Sequence, residues 1–212
     1  MIPQSTAQVE PLSLIKSTSL PEDWRTQLRE AYRTPQALLT ALGFSNTQQK
    51  ALLADDQGFT TLVPKAFVQK MQPQDPKDPL LLQVLPQSQE AIHHLEFNND
   101  PLQEAHFNPV PGVVHKYKGR ALLIAAGHCA INCRYCFRRH YPYNEQKLER
   151  TQWQQSLGYI EQHPDIEEII LSGGDPLALT DPQLFSLIEA IEGIAHIKRL
   201  RIHSRLPIVL PQ

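Results

Sequence analysis

The sequence lacks any long apolar run. Its longest uninterrupted apolar stretch is Ala121 to Ala126, far shorter than the roughly 20 residues that cross a bilayer as a helix. The amino terminus also lacks a basic region followed by an apolar core, so we expect no secretory signal. We therefore expect no membrane partner and a cytoplasmic location.

The chain also lacks an excess of charge of either sign. Its 20 Lys and Arg side chains nearly balance its 22 Asp and Glu, which leaves a formal net charge of −2. A field this weak gives no reason to expect nucleic acid as a partner. The hydrophobic content of 41% is typical of a globular protein and excludes a wholly disordered chain.

Cysteine is scarce and confined to one place. The three cysteines are Cys129, Cys133 and Cys136. An odd and tightly clustered set makes a poor disulfide framework. In a reducing compartment, such a cluster more often holds metal or does chemistry.

The first 110 residues predict a small, mainly helical domain. Most of the 18 prolines lie in this half, which favours short helices joined by turns. We expect a helix that the capping box Ser19-Leu20-Pro21-Glu22 opens and that runs to about Tyr32, another from Pro35 to before Gly43, and a third after Pro64. We interpret residues 1–110 as a packing and interaction domain.

Residues 111–212 instead predict an α/β fold. The short segments Ala121–Ala126 and Glu168–Leu171 are expected to be buried strands, and Arg199–His203 is expected to be a third strand. Helical periodicity separates them, over residues 150–162 and 181–191. Strands that alternate with helices at this spacing predict βαβ units and a parallel sheet. Because the sequence stops just after the third strand, we expect an incomplete barrel or a very small open sheet.

Polar groups follow each predicted strand. The first strand precedes the cysteine loop, the second precedes Ser172-Gly173-Gly174-Asp175-Pro176, and the third precedes Ser204-Arg205. Because the carboxyl ends of parallel strands share one edge of a sheet, we expect these groups to form a common site.

The spacing C-x-x-x-C-x-x-C favours an iron–sulfur cluster. Three thiolates can hold three irons of a 4Fe-4S cluster and leave the fourth iron open to substrate. A zinc site with three cysteines and either His128 or His140 is the alternative from another functional class. It would make the chain a zinc-stabilised module without catalysis. A redox-active cysteine is a third interpretation.

The residues of this region resemble a known family. With Tyr135 before the last cysteine, the loop resembles the motif of radical S-adenosylmethionine (SAM) enzymes, and SGGDP is similar to their glycine-glycine-acid motif. The segments PVPGVVHKYKGRALL, CAINCRYCFRRHYPY, LSGGDPL and IKRLRIHSRLPIVLP together resemble the lysine 2,3-aminomutase family. The short amino-terminal half and the run FRRHYPY resemble the branch that β-lysylates elongation factor P.

The resemblance implies a fold, a reaction and a set of partners. The fold is the first part of a (β/α)6-type radical SAM barrel. The reaction is the isomerisation of (S)-α-lysine to (R)-β-lysine, with a 4Fe-4S cluster, SAM and pyridoxal 5'-phosphate (PLP) as cofactors. The partners are lysine, an external one-electron donor and a ligase of the elongation factor P pathway, and a homo-oligomer is compatible with them. A mutase for free lysine or for glutamate is the alternative within the same class.

The resemblance also implies roles for individual residues. Those expected to bind SAM are Tyr135, Ser172, Gly173, Gly174, Asp175, Ser204 and Arg205. For the glycines a plain turn is the alternative, and for Arg205 a structural ion pair. Arg138 matches the arginine that holds the substrate carboxylate, because its planar fork suits that group.

Four further basic residues complete this set of expectations. Arg120 and Lys116 match positions near the PLP phosphate. Arg134 and Arg139 are interpreted as charges on a solvated face. The PLP lysine is expected beyond Gln212. We therefore expect this polypeptide alone to be a poorly soluble fragment that binds no PLP through a lysine and is inactive in the conversion of lysine.

Overall fold

The structure, a computed structural model, describes residues 23–53, 60–92, 95–96, 98–141, 143 and 150–211. The helices are α1 (Trp24–Arg29), α2 (Pro35–Ala41), α3 (Asn46–Leu52), α4 (Lys65–Val68), α5 (Arg150–Glu161), α6 (Asp181–Glu192) and α7 (Leu206–Val209). The strands are β1 (Val113–Tyr117), β2 (Arg120–Ala126), β3 (Glu168–Gly173) and β4 (Arg199–Ile202). Short 3-10 helices span Leu81–Gln83, Ser88–Ala91, Glu104–Phe107 and Pro176–Ala178.

Local capping explains where the amino-terminal helices begin. The Thr34 hydroxyl accepts a hydrogen bond from the backbone N–H of Ala37 (3.2 Å), and proline follows at the first helical position of α2. At α3, the Ser45 and Gln48 side chains each accept from the other's backbone N–H, which is a capping box. The three predicted helices are present as α1, α2 and α4, whereas α3 was missed. α1 begins after its N-cap residue Asp23 and ends at Arg29, and the predicted capping box at residues 19–22 lies outside the described residues.

The four strands form one sheet in the order β1-β2-β3-β4. β2, β3 and β4 are parallel, with Leu123 opposite Leu171 and Leu171 opposite Ile202. This arrangement confirms the three predicted strands and the mixed α/β class. β1 pairs with β2 in the antiparallel direction, and Gly119 makes the tight turn between them with a φ of +79°. The sequence prediction did not include β1.

One hydrophobic core lies between the sheet and its covering helices. Alternate residues of β2 and β3, such as Leu123, Ile169 and Leu171, are fully buried against Ile160 of α5 and Leu187 of α6. Residues of the opposite parity, such as Leu122 and Ile170, line the other face of the sheet, as strand geometry requires.

A second core joins the amino-terminal helices to the carboxyl end of the sheet. Its buried members include Leu38, Phe67 and Leu81 from the helical half, together with Ile131 after β2 and Val209 of α7. The helical half therefore packs against the loop that carries the cysteines. A division of the chain near residue 110 stays a prediction.

Within the described ranges, no helix is both long and apolar enough to cross a membrane.

Candidate functional site

The loops that follow β2, β3 and β4 meet at one edge of the sheet. The backbone N–H of Gly174 donates to the carbonyl of Ala126 (2.7 Å), and that of Asp175 donates to the carbonyl of His128 (2.8 Å). The N–H of His203, after β4, donates to the carbonyl of Leu171 (2.9 Å). The structure therefore brings together the three loops on which the sequence placed a common site.

The cysteine loop is anchored by the helical half of the chain. Cys129, Cys133 and Cys136 carry free thiols, and the first two are partly buried while Cys136 is exposed. Between them, the N–H of Asn132 donates to the carbonyl of Leu62 (3.0 Å). This contact holds the backbone of the loop against the helical half.

The three cysteines are neighbours at this edge of the sheet. They are close enough for the charges of Cys133 and Cys136 to influence Cys129. No three His, Cys, Asp or Glu side chains in the described part of the chain converge on a position for a single metal ion. In a 4Fe-4S cluster each thiolate binds its own iron, so its ligands need not converge on one position.

Burial governs the protonation of these thiols. It raises the pKa of Cys129 to about 12, and the nearby carboxylate of Asp175 acts in the same direction. Burial also raises the pKa of Cys133, while the guanidinium of Arg205 opposes that rise. The metal-free thiols of Cys129 and Cys133 therefore hold their protons at neutral pH, and binding of iron to them must release those protons.

Asp175 ties two of the loops together. Its buried carboxylate accepts from the N–H of Leu177 (3.0 Å) through Oδ1, and from the N–H groups of Arg205 (2.7 Å) and Leu206 (2.9 Å) through Oδ2. Three backbone donors thus already satisfy the carboxylate, and its geometry is that of a structural anchor. Its expected contact with SAM stays a prediction.

The two glycines allow the chain to approach itself. A Cβ on Gly174 would lie 2.2 Å from the carbonyl oxygen of His128, and one on Gly173 would lie 2.6 Å from that of Ala126. Gly173 also has a φ of +113°, which favours glycine. From the sequence we expected a ligand to approach these glycines closely, but the backbone of Ala126 at the end of β2 and of His128 after it lies there instead. A role of neighbouring carbonyls in binding SAM stays a prediction.

Arg205 lies over the cysteine loop. Its Nη1 donates to the sulfur of Cys133, and its Nη2 donates to the side-chain oxygen of Gln83 (2.6 Å). The Tyr135 ring lies 5.6 Å from its Cζ, and the Tyr135 hydroxyl donates to Gln83 (3.3 Å). Ser204 accepts from the N–H of Leu206 (3.0 Å) and shapes the same turn. Among the described residues, Arg205 forms no ion pair with a carboxylate.

Arg138 is buried, with only 5% of its surface exposed. Its Nε and Nη2 donate to the two carboxylate oxygens of Glu104 (2.7 and 2.6 Å), and its Nη1 donates to Ser172 (3.0 Å). Burial alone would lower the pKa of Arg138, but the Glu104 carboxylate raises it above its ordinary value. Its role toward the substrate carboxylate stays a prediction, and its observed partner is Glu104.

A cavity of about 530 Å³ adjoins this ion pair, between residues 99–111 and residues 137–141. Arg138 and Glu104 both line it, together with His140 and Tyr141. His140, which follows the last cysteine of the loop by four residues, therefore lies at this cavity.

Lys116 and Arg120 lie at the other end of β2 from the cysteine loop, since Tyr117 pairs with Arg120 at the start of that strand. Both line a smaller cavity of about 180 Å³, which Glu104 also borders. The Lys116 ammonium donates to the carbonyl of Leu102 (2.9 Å). The structure thus groups these two cations with each other, and Glu104 borders both cavities.

Arg134 and Arg139 do not form a solvated face, so that interpretation is wrong. Arg134 donates through Nη1 to one carboxylate oxygen of Glu90 (2.9 Å), and Arg139 donates to the other (2.8 Å). The Arg139 side chain is only 17% exposed. Through Glu90, both arginines connect the cysteine loop to the helical half.

Three residues of the site were missed in the sequence: Gln83, Glu90 and Glu104. Each is the acceptor for an arginine in or near the motifs, and each lies in a short 3-10 helix without a motif of its own. The sequence indicated only that the arginines of the motifs need hydrogen-bond acceptors, not which residues supply them.

Comparisons with known proteins show what this chain is similar to. A family model described as "4Fe-4S single cluster domain" matches residues 117–203. The chain is 48% identical over 193 residues to an L-lysine 2,3-aminomutase of Escherichia coli, and 45% identical over 191 residues to one of Haemophilus influenzae. Each alignment covers 90% of this chain and 56% of the relative.

A more distant relative also aligns with most of this chain but with only part of its own length. An L-lysine 2,3-aminomutase of Clostridium subterminale is 30% identical over 191 residues, which are 90% of this chain and 46% of that protein. The chain thus spans about half the length of the curated relatives it matches.

Proposed function

We propose that this chain carries the cluster-binding and SAM-binding side of a radical SAM isomerase. The premise is its similarity, over nine tenths of its length, to relatives named L-lysine 2,3-aminomutase. An aminomutase moves an amino group within one molecule, so the reaction class is isomerisation. The single observation that carries the proposal is the cysteine loop, held by backbone hydrogen bonds beside the loops after β3 and β4.

In this proposal Cys129, Cys133 and Cys136 bind three irons of a 4Fe-4S cluster. A cluster held there would supply one electron for the reductive cleavage of the carbon–sulfur bond of SAM. The protein contributes binding, orientation and electrostatics to this chemistry.

The chain's own residues orient the site in three ways. Asp175 fixes the turn that carries Ser204 and Arg205. Glu90 holds the cysteine loop through two arginines. Glycine at 173 and 174 lets the loop after β3 lie directly on the loop after β2.

The substrate side of the proposal follows from the family resemblance. The substrate is lysine, with Arg138 toward its carboxylate and with Lys116 and Arg120 toward the phosphate of PLP. Arg138 lines one cavity and the other two cations line a second, and Glu104 borders both cavities. The role in β-lysylation of elongation factor P, with a ligase partner, an external electron donor and a cytoplasmic location, rests on the sequence resemblance alone.

Cleavage of SAM tests the proposed chemistry. We would reconstitute the chain with iron and sulfide under anaerobic conditions, add SAM and dithionite, and quantify methionine and 5'-deoxyadenosine by mass spectrometry. We expect both products from the wild-type chain and neither from Cys133→Ala. Arg25→Gln, an exposed change on α1, is the matched control and should behave as wild type. Reductive cleavage that persists in Cys133→Ala would contradict the proposal.

The substrate is tested separately, by adding lysine and PLP to the complete protein that contains this sequence. The product expected is β-lysine. Conversion of glutamate but not of lysine would replace lysine with the alternative substrate.

The cellular role needs its own measurement. Elongation factor P isolated from cells that lack the gene should have lost the mass of one β-lysyl group. Retention of that group after deletion would contradict the pathway assignment.

A further inference from the structure

The guanidinium of Arg205 contacts one of the three cysteine sulfurs. Its Nη1 donates a hydrogen bond to Sγ of Cys133. Cys133 lies in the middle of the loop and is partly buried, so this donor approaches from within the protein. Cys133 is thus the cysteine for which the structure gives a cationic side-chain partner.

Several elements hold the guanidinium in this position. Gln83, from the helical half, accepts from Nη2 (2.6 Å). The Tyr135 ring lies 5.6 Å from Cζ, within the range of a cation–π contact. Asp175 accepts from the backbone N–H of Arg205 (2.7 Å) and so fixes its main chain.

Gln83 is itself rigidly placed. Its backbone carbonyl accepts from the N–H of Arg134 in the cysteine loop (2.7 Å), and its side-chain amide nitrogen donates to the carbonyl of Pro79 (3.1 Å). Because the amide nitrogen of Gln83 is bound to Pro79, its side-chain oxygen faces Arg205. This chain of contacts reaches from the helical half to Cys133.

We propose that Arg205 is a positioning residue whose hydrogen bond to the Cys133 thiolate makes the cluster easier to reduce. In this proposal Gln83 holds the guanidinium of Arg205 in the orientation that makes this bond. The inference rests on the proposed function, in which this thiolate binds iron. Reduction adds one negative charge to the cluster, and a cationic donor to a ligand sulfur stabilises that charge. Hydrogen bonds to the sulfurs and net charge are known determinants of cluster potentials, and partners of the ligands tune a metal site.

The proposal is compatible with an additional contact between Arg205 and SAM. A guanidinium has five N–H donors, and the contacts to Cys133 and Gln83 use one on each terminal nitrogen. Measurement in the absence of SAM isolates the effect on the cluster.

The test is a redox titration of the reconstituted chain without SAM, followed by electron paramagnetic resonance. Four variants accompany the wild type. Arg205→Met removes the charge and the donors, Arg205→Lys keeps the charge, Gln83→Leu removes the acceptor that aims the guanidinium, and Arg25→Gln removes an exposed arginine on α1.

We expect Arg205→Met to lower the reduction equilibrium constant about threefold to tenfold, which is roughly 30–60 mV more negative for one electron. Gln83→Leu should shift the potential in the same direction by a smaller amount, and Arg205→Lys should recover part of the loss. Arg25→Gln should leave the potential unchanged. A structural role alone would not move the potential of an intact cluster.

Each outcome decides one of the two claims. A wild-type chain that takes up no cluster refutes the proposed function. A cluster whose potential is the same in wild type, Arg205→Met and Gln83→Leu overturns the inference and leaves the proposed function standing. If Arg205→Met loses the cluster altogether, Gln83→Leu decides, and an unchanged potential there also overturns the inference.

Discussion

Arg138 shows that motif residues of this chain also support its structure. Its guanidinium is buried and satisfied by Glu104 and Ser172. Removing one partner of a buried ion pair leaves an uncompensated charge, which destabilises proteins by about 3–5 kcal/mol. The motif position therefore contributes to folding before any substrate binds.

Substitution of Glu104 tests this reading. We expect Glu104→Ala to lower the free energy of unfolding by about 3 kcal/mol or more, because Arg138 then loses its buried partner. Urea denaturation measures the change. The exposed pair Lys198–Glu167 provides the control, since Glu167→Ala removes a solvated partner and should change stability little. Equal effects of the two variants would contradict the structural role of Glu104.

Gly174 provides a second test at the scale of one residue. Gly174→Ala places a Cβ 2.2 Å from the carbonyl oxygen of His128, so the backbone must shift, and we expect a loss of about 1–3 kcal/mol. Gly158→Ala in α5 is the matched control, because its Cβ would meet nothing within 4 Å. It should stabilise the chain by up to about 1 kcal/mol through helix propensity. Denaturation midpoints that move in the same direction for both variants would contradict this account.

Sequence reasoning at this scale located the motifs but not the residues that their arginines contact. The cysteine spacing and the glycine pair are local patterns, so they were visible in the sequence. The acceptors Gln83, Glu90 and Glu104 lie 34 to 122 residues from their arginines. Only the folded chain pairs residues so far apart.

At the scale of elements, the segment between α4 and the first 3-10 helix depends on one buried carboxylate. Asp78 accepts from the backbone N–H groups of Gln72 (3.0 Å), Leu80 (2.8 Å) and Leu81 (2.8 Å). Burial alone would raise the pKa of Asp78, but these backbone donors lower it below its ordinary value. The turn that presents Gln83 to the site is thus built on an ionised side chain.

The lowered pKa of Asp78 predicts the pH dependence of its contribution. A carboxyl whose pKa is lower in the folded state stabilises that state above its unfolded pKa, about 3.9 for Asp. That contribution is lost as the pH falls through the folded value. We expect Asp78→Asn to be less stable than wild type at pH 7, with a difference that shrinks below about pH 4.

Thermal or urea unfolding at several pH values measures this difference, and the exposed Asp165→Asn serves as control. A difference between Asp78→Asn and wild type that stays constant on acidification would refute the pH argument.

Elements with strong periodicity were predictable, and those set by tertiary pairing were not. β2, β3, β4, α5 and α6 lie within a few residues of their predicted positions. β1 was missed because its five residues include polar ones, and its pairing with β2 supplies its structure. The capping box of α3 is a local signal that was present in the sequence and was overlooked.

For the whole molecule, the helical half is part of the site. It buries residues after β2 in its own core, and it supplies Gln83 and Glu90 to the arginines around the cysteines. The prediction of a packing and interaction domain therefore omitted its support of the cysteine loop. This support joins residues that no local pattern connects.

The metal bound by the cysteine loop is the most direct test of the account. The measurement is iron, sulfide and zinc per chain after anaerobic reconstitution, for the wild type and for alanine variants of Cys129, Cys133 and Cys136. The account predicts about four irons and four sulfides in the wild type and a lost or degraded cluster in each variant. One zinc per chain, with neither iron nor sulfide, would contradict it.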